Sequence, residues 1–368
     1  MSHLLLEKQV TITEDNSRAR RRLPEGVVIH DSFCLGDLIY LGAMLAALRE
    51  QAPTLPISVV VGGIAREFPF FDSIGVRLIE LAVPWDARGW YKRPFYTLNG
   101  LPRAARRIRS LARDSLLADP RGDLRHIVVA TLAGRRTLSS LSFGNWGRLW
   151  GRLTTHMFVG RRDWFWKLQD RLGLPRTEPK WPWIKVPAGP PKDPTAPPIV
   201  LLSPGVGGLL REWSPEKWQQ LASILRAMGL RCVFIREPGR RPSVLDDEEE
   251  WSGTIEQLAS RVASADLVVA VDSFVGHLSA AIGTPTLTLF GPQVPELWTP
   301  WGPHARYVIA EPFSCRPCVQ KKCVQPPGAS CMDVLQMKVV ADAVEDFFST
   351  AAGVTSLSGS RWPGTQDA

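Results

Sequence analysis

Residues 199–218 read IVLLSPGVGGLLREWSPEKW, and this stretch decides the fold. Its mainly apolar start, residues 199–203, is typical of a parallel strand covered on both faces. Ser214 and Pro215 are typical of the N-cap and the first position of a helix. The stretch therefore predicts a strand, a glycine-rich loop and a helix, which is the repeating unit of a doubly wound α/β domain.

The loop inside this stretch holds groups that bind phosphate. Three glycines within four positions let backbone N–H groups approach an anion closely, and an arginine follows within reach of the same anion. A strand–helix loop of this composition can also serve structure alone, so both interpretations stay open. The candidate phosphate-binding residues are Ser203, Gly205, Gly207, Gly208 and Arg211.

Strand-like apolar runs recur on both sides of this stretch, with helical patterns between them. Apolar residues from Trp218 to Leu225 and from Ile255 to Val262 follow the spacing of amphipathic helices. This alternation predicts two doubly wound domains, with ligands near the carboxyl ends of the strands. The predicted strands are 27–29, 57–61 and 126–130 in the first half, and 199–203, 231–235, 267–271 and 286–290 in the second.

The boundary between the halves is a proline-rich segment. Six of the twelve residues in 187–198 are proline, which excludes helix and central strand and favours a stiff linker. We therefore expect one domain over residues 25–186 and another over 199–350. Residues 1–24, which end in a basic run, and residues 351–368 are expected to be flexible tails.

A second group of polar residues follows the predicted strand 267–271. Asp272 and Ser273 come at its carboxyl end, and Gly276 and His277 follow at the start of a helix of small residues. A helix N-terminus at a strand end favours phosphate. A lone histidine is often structural, but this one stands among groups that suit an anionic ligand.

Asp37 follows the first predicted strand in the segment VVIHDSFCLGD. We expect a helix to begin near this residue, with Gly36 at the turn. Asp37 can then be a helix N-cap. It can also be a general base that takes the proton of an attacking hydroxyl group, and the two roles are compatible.

Composition limits the classes of partner. The chain has 368 residues, 45% of them hydrophobic, and a formal net charge of +8, which suits anionic partners such as nucleotides, phosphorylated glycans or a membrane surface. No nucleic-acid recognition motif accompanies the scattered basic residues.

No uncharged apolar run is long enough to span a membrane, and the N-terminus lacks a signal-peptide core. We expect a cytoplasmic protein, with peripheral attachment to the inner membrane as an option. The aromatic and arginine-rich residues 142–183 are interpreted as packed helix or as an acceptor or membrane-facing surface.

The three polar segments together resemble glycosyltransferase family 9, the ADP-heptose:lipopolysaccharide heptosyltransferase family. The segments LGD, PGVGGLLREWSPEKW and DSFVGHLSAAIGTPTLTLFGP match its motifs in order and spacing, and the similarity covers roughly residues 25–345. The resemblance implies a GT-B fold, in which two Rossmann-like domains face each other across a cleft. It also implies an inverting transfer that needs no catalytic metal, with ADP-heptose as the donor and an anionic glycolipid or glycan as the acceptor.

The resemblance also implies roles for individual residues. Asp37 matches the family's general base, and Arg211 stands where the family usually has a phosphate-binding lysine. Ser273 and Phe274 replace the usual Thr-Gly, which leaves the donor sugar open. Glu237 is a candidate ribose ligand in a poorly matching segment. The implied donor-site residues near the sugar and diphosphate are Asp272, Ser273, Gly276 and His277.

Four cysteines near the C-terminus form the segment CRPCVQKKCVQPPGASC. In a reducing compartment, a Cys-x2-Cys pair with two further cysteines favours a structural zinc or iron site over disulfides. Some relatives that glycosylate adhesins carry iron in a similar cluster. Free thiols or an oxidised disulfide are the alternatives. The candidate ligands are Cys315, Cys318, Cys323 and Cys331.

Three functions fit these observations. The first is sugar transfer to a lipopolysaccharide core or related glycan. The second is an adhesin-type protein heptosyltransferase with a structural metal, and the third is a catalytically silent binding or assembly subunit. A nicotinamide-dependent dehydrogenase is disfavoured, because no G-x-G-x-x-G motif opens the first helix.

Overall fold

Two parallel β-sheets form the framework of the chain, as seen in a computed structural model. The first sheet comes from residues 27–139 and the second from residues 199–309. The predicted tail up to residue 23 and the residues from 353 onward lie outside the described part. The residues that the structure describes are 24–31, 34–63, 65, 68–81, 83, 94–120, 122–139, 161–187, 193, 195–205, 208–236, 248–310, 313–316, 318 and 322–352.

The first sheet has the strand order β3-β2-β1-β4-β5, and all neighbouring strands are parallel. The chain order reverses between β1 and β4, which makes this point the topological switch point where α/β sheets bind ligands. A further helix, α4, places the buried side chains of Trp164 and Phe165 in the same core. The elements are β1 (Val27–His30), α1 (Leu35–Gln51), β2 (Ile57–Val61), β3 (Arg77–Glu80), α2 (Pro94–Leu111), β4 (Leu116–Asp119), α3 (Leu124–Leu132), β5 (Thr137–Ser139) and α4 (Arg161–Leu172).

The second sheet has the strand order β11-β10-β9-β6-β7-β8, again with parallel neighbours. Its switch point lies between β6 and β9. The elements are β6 (Ile199–Ser203), α5 (Pro215–Ala227), β7 (Arg231–Ile235), β8 (Glu250–Trp251), α6 (Ile255–Ala263), β9 (Leu267–Val271), α7 (Phe274–Ile282), β10 (Thr286–Phe290), α8 (Pro295–Trp298), β11 (Ala305–Ile309) and α9 (Met337–Ala352).

Most predicted strands are confirmed, but the one at residues 126–130 is wrong. That segment belongs to α3, whose N-cap Asp123 accepts a hydrogen bond from the main-chain N–H of Arg125 at 2.8 Å. Within α3, Val129 is buried whereas Val128 and Leu132 are exposed, so the apolar run wraps around a helix. An apolar run of five residues suits either structure, and here the capping aspartate decides the outcome.

The two halves of the chain meet through α1 and α7, with Trp183 between them. The main-chain N–H of Trp183 donates to the carbonyl of Ala281 in α7 at 3.0 Å, and its indole N–H donates to the carbonyl of Ile39 in α1 at 3.1 Å. Gly42 gives the ring its space, because a Cβ there would lie 2.0 Å from the indole. The core that surrounds this contact takes buried residues from both sheets. Two doubly wound α/β units joined in this way confirm the predicted fold class.

Candidate active site

Arg211 and Asp272 meet at the switch point of the second sheet. Arg211 ends a short 3-10 turn (Leu209–Arg211), and its Nη1 donates to the main-chain oxygen of Asp272 at 2.7 Å and to Oδ2 at 3.1 Å. The carboxyl group is only 5% exposed, against 30% for the arginine side chain. Burial raises the pKa of Asp272, and the neighbouring guanidinium opposes this shift. The arginine therefore stabilises an otherwise costly buried carboxylate.

The other edge of the guanidinium faces the glycine-rich loop. Nε and Nη2 of Arg211 each lie 3.8 Å from the place that a Cβ on Gly208 would take. Among the described residues these two nitrogens make no hydrogen bond. This edge of an arginine matches the oxygens of a phosphate in a bidentate contact.

Ser203 is buried at the end of β6, and Gly205 follows it. Two predicted residues lie outside the described part of the chain: Gly207 and Glu237.

The second polar group stands at the start of α7. Ser273 is the N-cap, but its side chain makes no capping bond, and its shielded Oγ has no hydrogen-bond partner in the described ranges. Gly276 lies in the first turn, where an added Cβ would contact Thr288 at 3.5 Å. His277 is buried, with Nε2 4.0 Å from Oδ1 of Asp272. The structure thus brings Arg211 and these α7 residues to one edge of the sheet.

Asp37 occupies the first turn of α1 but does not cap it, so the predicted N-cap is wrong. The helix begins at Leu35, and its N-cap is Cys34, which makes no side-chain capping bond. Gly36, interpreted as a turn residue, is already helical. Asp37 is the third helical residue and is 6% exposed. An acid in this position is stabilised by the helix dipole without capping the helix.

The first turn of α1 contacts α7 from the other half of the chain. A Cβ on Gly36 would lie 3.3 Å from Cδ2 of His277. The ring of Tyr40 lies 4.9 Å from the imidazole of His277, centroid to centroid. Asp37 lies between Gly36 and Tyr40 in the sequence. The turn that carries the predicted base therefore lies beside the predicted donor residues.

A buried polar cluster at the switch point of the first sheet was missed by the sequence analysis. His126 Nδ1 lies 3.1 Å from Asp119 Oδ1, and Ser139 Oγ donates to Oδ2 of the same carboxylate at 2.9 Å. The ring of His30 stacks on that of His126 at 3.7 Å. Burial and the neighbouring His126 hold the pKa of His30 well below its usual value. Because residues 126–130 were wrongly predicted to be a strand, His126 was not identified as a site residue. The end of β1 and the first turn of α3 bring the cluster together.

The four clustered cysteines line one cavity of about 370 Å³ beside Trp213 and Arg316. Burial raises the pKa of Cys331 to about 11, and the other three thiols act electrostatically on it in the same direction. In the part of the chain described, no group of three or more Cys, His, Asp or Glu side chains is arranged to hold a metal ion. The structure therefore brings the thiols to one place without showing a coordination site.

Comparisons with known proteins agree with the residue pattern. Residues 162–328 match the model of glycosyltransferase family 9 (heptosyltransferase). Over 331 residues the chain is 25% identical to lipopolysaccharide heptosyltransferase 1 of Pseudomonas aeruginosa, covering 82% of this chain and 88% of that protein. The E. coli heptosyltransferase WaaC with ADP has a similar fold, with a TM-score of 0.59, 17% identity, and coverage of 87% of this chain and 99% of that one. The iron-containing dodecameric glycosyltransferase TibC from enterotoxigenic E. coli is also similar, with a TM-score of 0.54, 13% identity, and coverage of 89% and 77%.

These findings confirm the resemblance inferred from the sequence. The solved structures establish the architecture, in which both parallel sheets have counterparts in GT-B enzymes. The family match covers the predicted linker and all strands of the second sheet, where the glycine-rich loop and Asp272 lie. Residues 162–328 therefore match a glycosyltransferase family 9 (heptosyltransferase) domain, and the chain is a glycosyltransferase with the GT-B fold.

Proposed function

We propose that this glycosyltransferase moves heptose from ADP-heptose to a lipopolysaccharide core or a related surface glycan, with inversion at the anomeric carbon. The observation that carries the proposal is the edge of Arg211 that faces the glycine-rich loop at a switch point and makes no hydrogen bond to the described residues. That arrangement suits a nucleoside diphosphate. The relatives support the rest, since one has the name of a lipopolysaccharide heptosyltransferase and another was solved with ADP.

The donor diphosphate binds between the glycine-rich loop and the start of α7. Arg211 and the N-terminal N–H groups of α7 neutralise the charge that collects on the departing ADP. Asp272 orients Arg211 through two hydrogen bonds, and His277 and Ser273 face the sugar. Glu237 stays a proposed ribose ligand, and Gly205, Gly207, Gly208 and Gly276 allow close approach of the backbone.

In the transfer step, Asp37 accepts the proton of the attacking hydroxyl group. The acceptor oxygen forms a bond to the anomeric carbon, while the bond between that carbon and the diphosphate oxygen breaks. The electron pair leaves with ADP, and attack from the opposite face inverts the anomeric centre. No catalytic metal takes part in this scheme, so we expect turnover without any added divalent cation.

The acceptor is proposed to bind at the switch point of the first sheet, near the cluster of His30, Asp119 and His126. The net charge of +8 suits an anionic glycolipid. None of the described helices is long and apolar enough to cross a membrane. We propose a cytoplasmic enzyme that binds peripherally to the inner membrane, which cell fractionation with and without a high-salt wash would test.

The Asp37→Asn variant tests the base directly. We expect transfer to fall by about 10²- to 10⁴-fold, the usual contribution of general-base catalysis, while ADP binding stays as in the wild type. ADP release with core-glycan acceptors gives the rate, and calorimetry gives the affinity. Asp72→Asn is the matched control, because Asp72 is an exposed acid in a surface 3-10 turn.

The same experiment separates the competing functions. If Asp37→Asn kept more than about a tenth of the wild-type rate, the base assignment would be wrong. A silent assembly subunit predicts no turnover of ADP-heptose by the wild type with any acceptor. Turnover with an adhesin polypeptide but not with core glycans would move the acceptor to protein.

We also propose that the four-cysteine cavity holds a structural zinc or iron ion. Four thiolates are the donor set of such sites, and TibC is iron-containing by name. When bound, the metal would replace the thiol protons of Cys315, Cys318, Cys323 and Cys331. Elemental analysis should find one metal per chain in the wild type and in Cys34→Ser, an exposed thiol outside the cavity, but not in Cys331→Ser. Wild-type protein that folds without metal would contradict this proposal.

A further inference from the structure

Tyr40 joins the two halves of the molecule at the candidate active site. Its hydroxyl group donates to the main-chain carbonyl of Thr299 at 2.7 Å, across 259 positions of sequence. Its ring packs edge-on against Trp301 at 5.0 Å and lies 4.9 Å from the ring of His277. The Tyr40 side chain is buried, and its hydrogen bond to Thr299 is partly buried. Tyr40 therefore belongs to the first half but contacts the second.

Tyr40 stands three residues after Asp37 in α1. Residues three apart on a helix are neighbours on one face, so the two side chains leave the helix on the same side. The contact of Tyr40 with the second half therefore controls the position of the turn that carries Asp37. On the other side of the contact, His277 lies 4.0 Å from Asp272, which binds Arg211.

A second contact between the halves involves Trp183. Trp183 donates to Ile39 and Ala281, and Ala281 is one turn beyond His277 in α7. Ile39 directly precedes Tyr40, so the Trp183 contact holds the same part of α1, whereas the Tyr40–Thr299 hydrogen bond ties α1 to the segment that follows α8. Loss of the tyrosine hydroxyl alone would therefore release the tie to Thr299 while the Trp183 contacts keep the halves joined.

We infer that Tyr40 is a positioning residue, which holds the first turn of α1 and its Asp37 in register with His277 and the donor-binding residues. The inference rests on the proposed function, because that function makes Asp37 the base and places His277 at the transferred sugar. Tyr40 contacts neither the attacking hydroxyl group nor the anomeric carbon in this scheme. It acts on the reaction by fixing the distance between Asp37 and His277.

The Tyr40→Phe variant keeps the ring contacts and removes only the hydroxyl group. We expect hydrogen exchange in the ligand-free protein to become faster in peptides that cover residues 35–44 and 295–301. We also expect kcat to fall about three- to tenfold, the range set by one neutral hydrogen bond, with the Kd for ADP unchanged within about twofold. Tyr307→Phe, on the edge strand β11, is the matched control and should change neither quantity.

Each outcome decides the inference. Unchanged exchange in Tyr40→Phe, or faster exchange with wild-type kcat, would overturn it. A weaker affinity for ADP equal to the loss in kcat would also overturn it, because the residue would then support the donor site alone. A wild-type protein that transfers no heptose would contradict the proposed function. The hydrogen-exchange measurement would still decide whether Tyr40 holds the two halves together.

Discussion

Truncation of Arg211 to alanine should weaken ADP binding by about 10- to 100-fold. One edge of the guanidinium binds Asp272 and the other faces the loop beside Gly208. The variant therefore removes both the proposed phosphate contact and the group that holds Asp272. A hydrogen bond to a charged group contributes about 1.5–3 kcal/mol, and each 1.4 kcal/mol changes Kd tenfold.

The same substitution has a cost in stability that must be measured separately. Asp272 is buried, and without the arginine its carboxylate has lost a partner. Breaking a fully buried ion pair costs about 3–5 kcal/mol, but Arg211 is 30% exposed and partly screened, so we expect about 1–2 kcal/mol. Urea denaturation gives this number, and the binding assay is run at a temperature where the variant is fully folded.

Calorimetric titration with ADP is the assay, with two comparison variants. Arg211→Lys keeps the charge but loses the fork, so its affinity should fall between those of the wild type and the alanine variant. Arg231→Ala removes an exposed arginine that pairs with Glu249, and it should leave the affinity unchanged. A folded Arg211→Ala protein that bound ADP as tightly as the wild type would refute the assignment of this arginine to the diphosphate.

Three further predictions test the surrounding structure. Gly42→Ala should lower the free energy of unfolding by about 3 kcal/mol, because the new Cβ would lie 2.0 Å from the ring of Trp183, and urea denaturation measures the loss. Ser214→Ala should cost about 1 kcal/mol in the same assay, because Ser214 caps α5. The wild-type stability should fall as the pH drops below about 6.5, since the unfolded His30 takes up a proton that the folded, buried His30 resists. His30→Gln should flatten that slope, and equal slopes from pH 5 to 7 would contradict the reasoning.

The strands that the sequence predicts correctly share a physical property. β2, β6, β9 and β10 are buried along most or all of their length, so their apolar runs need no alternation. Most of the strands it misses, namely β3, β5, β8 and β11, are at the sheet edges, whereas β4 is internal but has only four residues. In β3 two of four residues are exposed, and β5 has only three residues. Such strands are stabilised by pairing with neighbours that the local sequence does not identify.

In the site too, residues within one continuous segment are predicted from the sequence, whereas contacts between distant segments are not. The loop with Arg211 and the segment with Asp272 are each continuous, so their residue types and spacing predict phosphate-binding chemistry. The contact between Tyr40 and Thr299 joins residues 259 positions apart, and no local pattern marks it. The N-cap prediction for Asp37 fails by three positions, because the helix begins at Leu35 even though its N-cap Cys34 offers no side-chain cap.

This division follows from what each half of the enzyme is proposed to recognise. A diphosphate is bound by glycine-rich backbone, a helix N-terminus and one fixed cation, and those features need certain residues at certain places in one segment. An acceptor glycan is bound by side chains, which can come from any element that ends at the same sheet edge. The polar cluster of the first sheet is an example, since β1, β4, α3 and β5 each contribute one of its members. If the acceptor binds at this cluster as proposed, we expect single substitutions at those strand ends to change acceptor choice while the donor segments stay recognisable.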